Sequence, residues 1–138
     1  MERVRHILDN DRIVGLFGME LLSFEPGKVR IQARVAEEFL NAHRIAHGAF
    51  IFALADVAFA IVVNAETDAV GVQWSFNTFR AAMPGETVTA ECRLLHRGRS
   101  LLVVEYDVVG ESGKLLAKGQ ATALPASRDR FTSPAPGK

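Results

Sequence analysis

The 138-residue sequence has a single cysteine, Cys92, no surplus of charge, and no apolar run as long as a membrane span. One thiol excludes an intramolecular disulfide framework and a cysteine metal cluster, which suits a reducing compartment. Sixteen basic residues balance sixteen acidic ones, so the chain offers no surplus of positive charge of the kind nucleic acid attracts. The longest apolar stretch, residues 49–63, falls short of the roughly 20 residues that cross a bilayer, and it carries Asp56 at its centre. The opening MERVRHILDNDRIV is charged throughout and lacks the apolar core of an export signal. Internal repeats are absent too. These absences predict one cytoplasmic domain with neither nucleic acid nor membrane as partner.

What the chain does contain is periodicity. Val4, Ile7, Leu8 and Val14 fall at loosely helical spacing and predict a short amphipathic helix over 2–14. Residues 18–24 and 29–35, joined by EPGK, predict a hairpin; in its second arm Val29, Ile31, Ala33 and Val35 alternate with Arg30, Gln32 and Arg34. The segment 36–48 breaks that pattern and leads into a helix over 48–64 that is apolar on nearly every face. Something must therefore surround it. Four further strands are predicted at 70–80, 87–96, 100–110 and 115–124, separated by the turn-forming stretches AAMPGE, RGR and ESGK. A domain over 1–124 and a polar, proline-bearing tail over 125–138 follow. An antiparallel sheet with one wholly apolar helix is solved by curling the sheet around that helix, an α+β arrangement known as the hotdog fold, which leaves an edge and a face for a partner subunit.

Asp56 poses the functional question, because an unpaired buried carboxylate costs several kcal/mol, roughly, or loses its charge. Upstream stand Asn41, His43 and His47 in the loop and Gly48 at the helix start. Free N–H groups at a helix N-terminus can hold a developing negative charge, and a glycine there lets a carbonyl approach the backbone. An oxyanion donor and a carboxylate together are the equipment of acyl-transfer hydrolysis. Eight residues separate Gly48 from Asp56, about 12 Å along one helix. A single carbonyl cannot touch both. Two antiparallel copies of the helix across a two-fold axis can supply Gly48 from one chain and Asp56 from the other.

The stretch HGAFIFALAD at 47–56, preceded by Asn41, resembles the hotdog thioesterases of the phenylacetic-acid-degradation (PaaI) type, and FNTFRAAMPGETV and HRGRSLLVVEYDV extend the similarity over about residues 15–124. The resemblance implies hydrolysis of acyl-coenzyme A thioesters by a homotetramer built as a dimer of dimers. It places the catalytic carboxylate on Asp56, the carbonyl-polarising amide on Gly48 and the orienting amide side chain on Asn41. No cofactor is implied, since coenzyme A is part of the substrate. Two departures stand out: Ala49 replaces a second glycine, and Ala60 replaces the polar residue that some members carry a turn after the carboxylate. A water-holding group must then come from elsewhere, with Ser75 and Asn77 on the long strand as candidates.

Each residue also has a plainer reading. Asn41 can cap a turn, Gly48 can simply begin a helix, and His43 and His47 can hydrogen-bond the backbone, with His47 orienting the loop. The H-x3-H spacing of the two histidines on a loop does not suit a metal site. Cys92 lies in phase with core residues. Arg97 and Arg99 form a solvated turn or, with Arg80, meet the phosphates of coenzyme A. Phe50, Phe52, Phe59, Trp74 and Phe76 make the surroundings aromatic, suited to an aryl or medium aliphatic acyl group. The rival functions are a hotdog hydratase, which needs a catalytic histidine paired with an acid, and a non-catalytic acyl-coenzyme A binding protein.

Overall fold

The alternating segments form six strands of one antiparallel sheet in a computed structural model that describes residues 1–126. In chain order the strands are β1 (Glu20–Glu25), β2 (Lys28–Arg34), β3 (Ala69–Thr78), β4 (Thr87–Arg97), β5 (Leu102–Val109) and β6 (Leu115–Pro125). In space the order is β1-β2-β4-β5-β6-β3, so β1 and β3 are the edges. Val29, Ile31 and Ala33 of β2, Val88, Ala90 and Cys92 of β4, and Val104, Tyr106 and Val108 of β5 all turn to one buried face. Strand period fixes this, because one face must be covered. The opposite face is polar. There Arg93 bridges Glu105 at 2.5 Å and Asp107 at 3.0 Å, while Lys118 meets Asp107 at 2.7 Å.

The apolar helix is α3 (Gly48–Asn64), and the sheet curls around it as expected of a hotdog fold. Phe50, Leu54, Ala55, Ala58, Ile61 and Val62 are fully enclosed. Truncating one such residue, as in Leu54→Ala, costs about 2–5 kcal/mol in cores of this kind. The sheet leaves one stripe of the helix less covered. Phe52, Asp56, Ala60 and Asn64, spaced four apart, are half-buried along it. Asp56 therefore lies on the side of α3 that a single chain does not close.

The N-terminal segment departs from the expected single helix. It forms α1 (Glu2–Asn10) and α2 (Arg12–Leu16), broken at Asp11. Asp11 adopts extended backbone, and its carboxylate accepts the Ile13 N–H at 3.0 Å as the cap of α2. An aspartate prefers that role to the interior of a helix. Strand β6 runs to Pro125, one residue into the expected tail, and the Ala126 N–H reaches the Asp68 carbonyl. The remainder of the expected tail lies outside the described residues. Among the described residues no helix is long and apolar enough to cross a membrane.

The attachment of β3 to β6 matters most for the site, because β3 carries residues that face α3. Tyr106, wholly buried, donates its hydroxyl to the Ser75 carbonyl at 2.9 Å, with the Gln120 carbonyl at 3.1 Å. Gly119 makes room for the ring: a Cβ there would fall 1.9 Å from the Ser75 oxygen and 2.8 Å from the Tyr106 ring. Gly119→Ala is expected to lower the unfolding free energy by about 3 kcal/mol, and Tyr106→Phe by about 1–2 kcal/mol, in urea titrations. An unchanged midpoint for Gly119→Ala would contradict this packing.

Candidate active site

Asn41 organises the loop that delivers the chain to α3. Its side-chain oxygen accepts the N–H of His43 at 2.9 Å and of Ile45 at 3.3 Å, and its backbone closes the same turn with Ile45 and Arg44. The two donors fix which end of the amide is oxygen, so the Nδ2 group is the end left to donate elsewhere. The capping reading of Asn41 thus holds without removing its capacity to polarise a carbonyl.

His47 is the cap of α3. Its Nδ1 accepts the Ala49 N–H at 2.9 Å, which places the ring proton on Nε2. The Phe50 and Ile51 N–H groups turn back to the His47 carbonyl at 3.0 and 3.2 Å. Among the described residues this leaves the Gly48 N–H as the unpartnered amide of the first turn. The space in front of Gly48 is open, since a Cβ there would meet nothing within 4 Å. Its own chain does not require a glycine at 48. His43 is exposed in the loop, engaged through its backbone.

Asp56 is paired, and the partner is Trp74, whose Nε1–H donates to Oδ1 at 2.9 Å. Burial raises the Asp56 pKa above the ordinary carboxylate range; the Trp74 hydrogen bond opposes this, and the Asp11 charge adds to it. A cleft of about 750 Å³ opens between α1 and the end of α3, lined by Ile7, Ala60 and Ala69 with His6, Asn10 and Asp11 among others. It adjoins the Asp56 stripe one turn further along, and contains neither Asp56 nor Gly48. Those two groups lie on one helix about 12 Å apart, so one chain does not bring both to one carbonyl.

The remaining expectations fare differently. Ser75 and Asn77 pair across the ladder with Gln120 and Lys118, on the polar outer face, whereas Trp74 and Phe76 turn toward α3. The structure therefore does not bring Ser75 or Asn77 to Asp56. Arg80 lies at the α3 N-terminal end of the sheet, where the Ala46 N–H meets the Ala82 carbonyl at 2.9 Å. Arg97 and Arg99 lie at the other end, with Arg97 at 3.6 Å from Glu66 just beyond α3. The length of a ten-residue strand, about 30 Å, separates the two sets within one chain. Cys92 is wholly buried, and burial pushes its thiol pKa up, in keeping with a core role. Trp74 and Asp11 were not singled out as site residues in the sequence. Strand period alone puts Trp74 in phase with Phe76 and out of phase with Ser75 and Asn77, a signal that identifies which side chain can reach the helix.

The model of the thioesterase superfamily matches residues 43–117, more than half of the chain. A putative esterase of Deinococcus radiodurans is 39% identical over 103 residues, covering 74% of this chain and 70% of that protein. The acyl-coenzyme A thioesterase PaaI of Escherichia coli is 29% identical over 110 residues, 79% of each. The solved structure of the E. coli PaaI protein from the phenylacetic acid degradation operon superposes with a TM-score of 0.89 at 25% identity, covering 92% of this chain and 93% of that one. Family model, sequence relatives and fold agree with the family resemblance, and the chain belongs to the thioesterase superfamily as a thioester hydrolase of the PaaI-type hotdog class.

Proposed function

We propose that this chain hydrolyses acyl-coenzyme A thioesters in a site shared by two copies. The observation that carries the reading is the placing of an open Gly48 amide and a half-buried Asp56 on one rigid helix, too far apart to serve one carbonyl alone. In the shared site, the Gly48 N–H and the Asn41 Nδ2 polarise the thioester carbonyl. Asp56 of the other copy attacks that carbon, or takes a proton from the water that does, and the coenzyme A thiolate leaves. The exposed edge strand β3 supports the assembly: Val72 and Trp74 are 49% and 39% exposed on it, Phe79 just beyond it is 57% exposed, and a second β3 would cover them. Such dimers would pair into the homotetramer implied by the resemblance. A coenzyme A ester substrate and a lone buried thiol support a cytoplasmic setting.

Aryl or medium-chain acyl groups remain the proposed substrates. Phe50 is enclosed with Phe17 and Phe39 in the core, so it does not contribute. Phe52 and Phe76, edge to face at 5.2 Å and half-buried, stay reachable along the Asp56 stripe. The adjoining cleft is within the usual size for a small-molecule site. The relative named as an acyl-coenzyme A thioesterase, and the phenylacetic acid operon of the E. coli protein, point the same way.

Asp56→Asn tests the reading. Thioester hydrolysis, followed by release of free thiol from phenylacetyl- and octanoyl-coenzyme A, is expected to fall by about a thousandfold or more. Stability should hold or rise. Native Asp56 binds its proton more tightly than the unfolded chain, so its ionised form opposes folding once the pH passes above the ordinary carboxylate value. Undiminished turnover, or a much lower melting temperature, would contradict a catalytic carboxylate.

An antiparallel pair of α3 helices brings the C-terminal end of one beside the N-terminal end of the other. The Arg97–Arg99 turn of one copy then lies near Arg80 and Gly48 of the other, which gathers the separated arginines at one substrate. Arg97→Ala with Arg99→Ala is expected to raise KM several-fold for coenzyme A esters and to leave it unchanged for a short thioester without the nucleotide. Equal changes for both substrates would return these arginines to the solvated turn.

A further inference from the structure

We propose that Trp74 is a positioning residue for the reacting carboxylate, its indole N–H holding Oδ1 of Asp56 so that Oδ2 alone is presented to the substrate. The inference rests on Asp56 being that carboxylate. Indole Nε1–H donates and cannot accept, so the 2.9 Å contact has one polarity whatever the ionisation of Asp56, and it is strongest when Asp56 is charged. Among the described residues no other side chain hydrogen-bonds Asp56, and the polar residues near it on the strand, Gln73, Ser75 and Asn77, alternate with Trp74 and Phe76 and turn to the opposite face of the sheet.

The direction of the N–H is set by apolar packing against the ring. Phe59, three residues beyond Asp56 on α3, meets the indole edge to face at 5.9 Å and 88°. Gly71 supplies the space where the two rings meet. A Cβ at 71 would fall 2.5 Å from Trp74 Cζ2 and 2.7 Å from Phe59 Cε2, so any side chain there would drive the two rings apart. The β3–β6 register shifts between Gly71 and Gln73, next to this seat, and Trp74 itself stands opposite the small Ala121. Helix, strand and glycine thus hold a rigid ring whose only polar atom is aimed at the carboxylate.

Asp11 at the α2 cap is the other ionisable group whose charge acts on Asp56, and the Asp56 charge in turn bears on the Tyr106 hydroxyl of β5. Neither is altered by a change at Trp74. A donor to the ionised form lowers a carboxyl pKa, so its loss should move the acid limb of kcat/KM to higher pH.

Trp74 is the only tryptophan of the chain, so replacing tryptophan by 3-benzothienylalanine during expression changes this position alone and exchanges the N–H for sulfur in a ring of the same shape. Together with Trp74→Phe, this variant is expected to lower kcat about tenfold and to raise the acid limb by about one pH unit, with the melting temperature of the isostere unchanged. In the native protein, indole emission should titrate at the pH of that limb, and the transition should vanish in Asp56→Asn. An isostere with native kcat and an unmoved acid limb would overturn the proposal, as would an emission transition that survives in Asp56→Asn. Should Trp74→Phe fail to fold, the isostere decides. Full hydrolysis by Asp56→Asn would instead overturn the reading of Asp56, a failure distinguishable because the emission transition reports the pair without reference to activity.

Discussion

Gly48 and Asp56 are fixed on one α-helix, about 12 Å apart, and no motion short of breaking that helix brings them together. This distance governs the rest. In the proposed shared site, the amide that would hold an oxyanion and the carboxylate that would attack come from different copies of the chain. A helix enclosed on all sides by its own sheet could not take part in such an arrangement. Here the sheet covers most of α3 and leaves the stripe of Phe52, Asp56, Ala60 and Asn64 half-open. The wrapping that stabilises the helix and the gap that gives it chemistry are two sides of the same packing.

Strand β3 connects the two roles. One face of it supplies Trp74 to Asp56 and Phe76 to Phe52. Its free edge is the surface by which a second copy can complete the sheet. Its other edge is locked to β6, where Gly119 lets the Tyr106 hydroxyl reach the Ser75 carbonyl. A loosened β3 would therefore disturb the carboxylate and the proposed subunit contact together. The N-terminal helices add a further constraint: the carboxylate that caps α2, Asp11, also raises the pKa of Asp56.

Much of this was legible in the sequence, because period and burial are local signals. Apolarity interrupted only by Asp56 over 49–63 located α3, alternation located the strands, and EPGK and MPGE located turns in which Gly27 and Gly85 adopt positive φ. The break at Asp11 was missed because apolar spacing continues through it, and only the capping preference of aspartate marks the end of one helix and the start of another. The HGAFIFALAD stretch identified Gly48 and Asp56 together. It could not identify Trp74, eighteen residues on, since that contact depends on how β3 crosses α3. Ser75 and Asn77 drew attention by their chemistry, while the period of the strand turned both away from Asp56. The arginines illustrate a different limit: within one chain they are a strand's length apart, and only the proposed two-fold axis would gather them.

The shared site is tested most directly by mixing two inactive variants, Asp56→Ala and Asn41→Ala, through co-expression, because a large apolar interface need not exchange on simple mixing. Where the Asp56 and Asn41 of each site come from different copies, a mixed dimer has one site with both lesions and one with neither. Random assortment makes about half the dimers mixed, so about a quarter of native activity should return. Mixed dimers verified by mass and devoid of activity would contradict the shared site, for then each site would draw both residues from one chain.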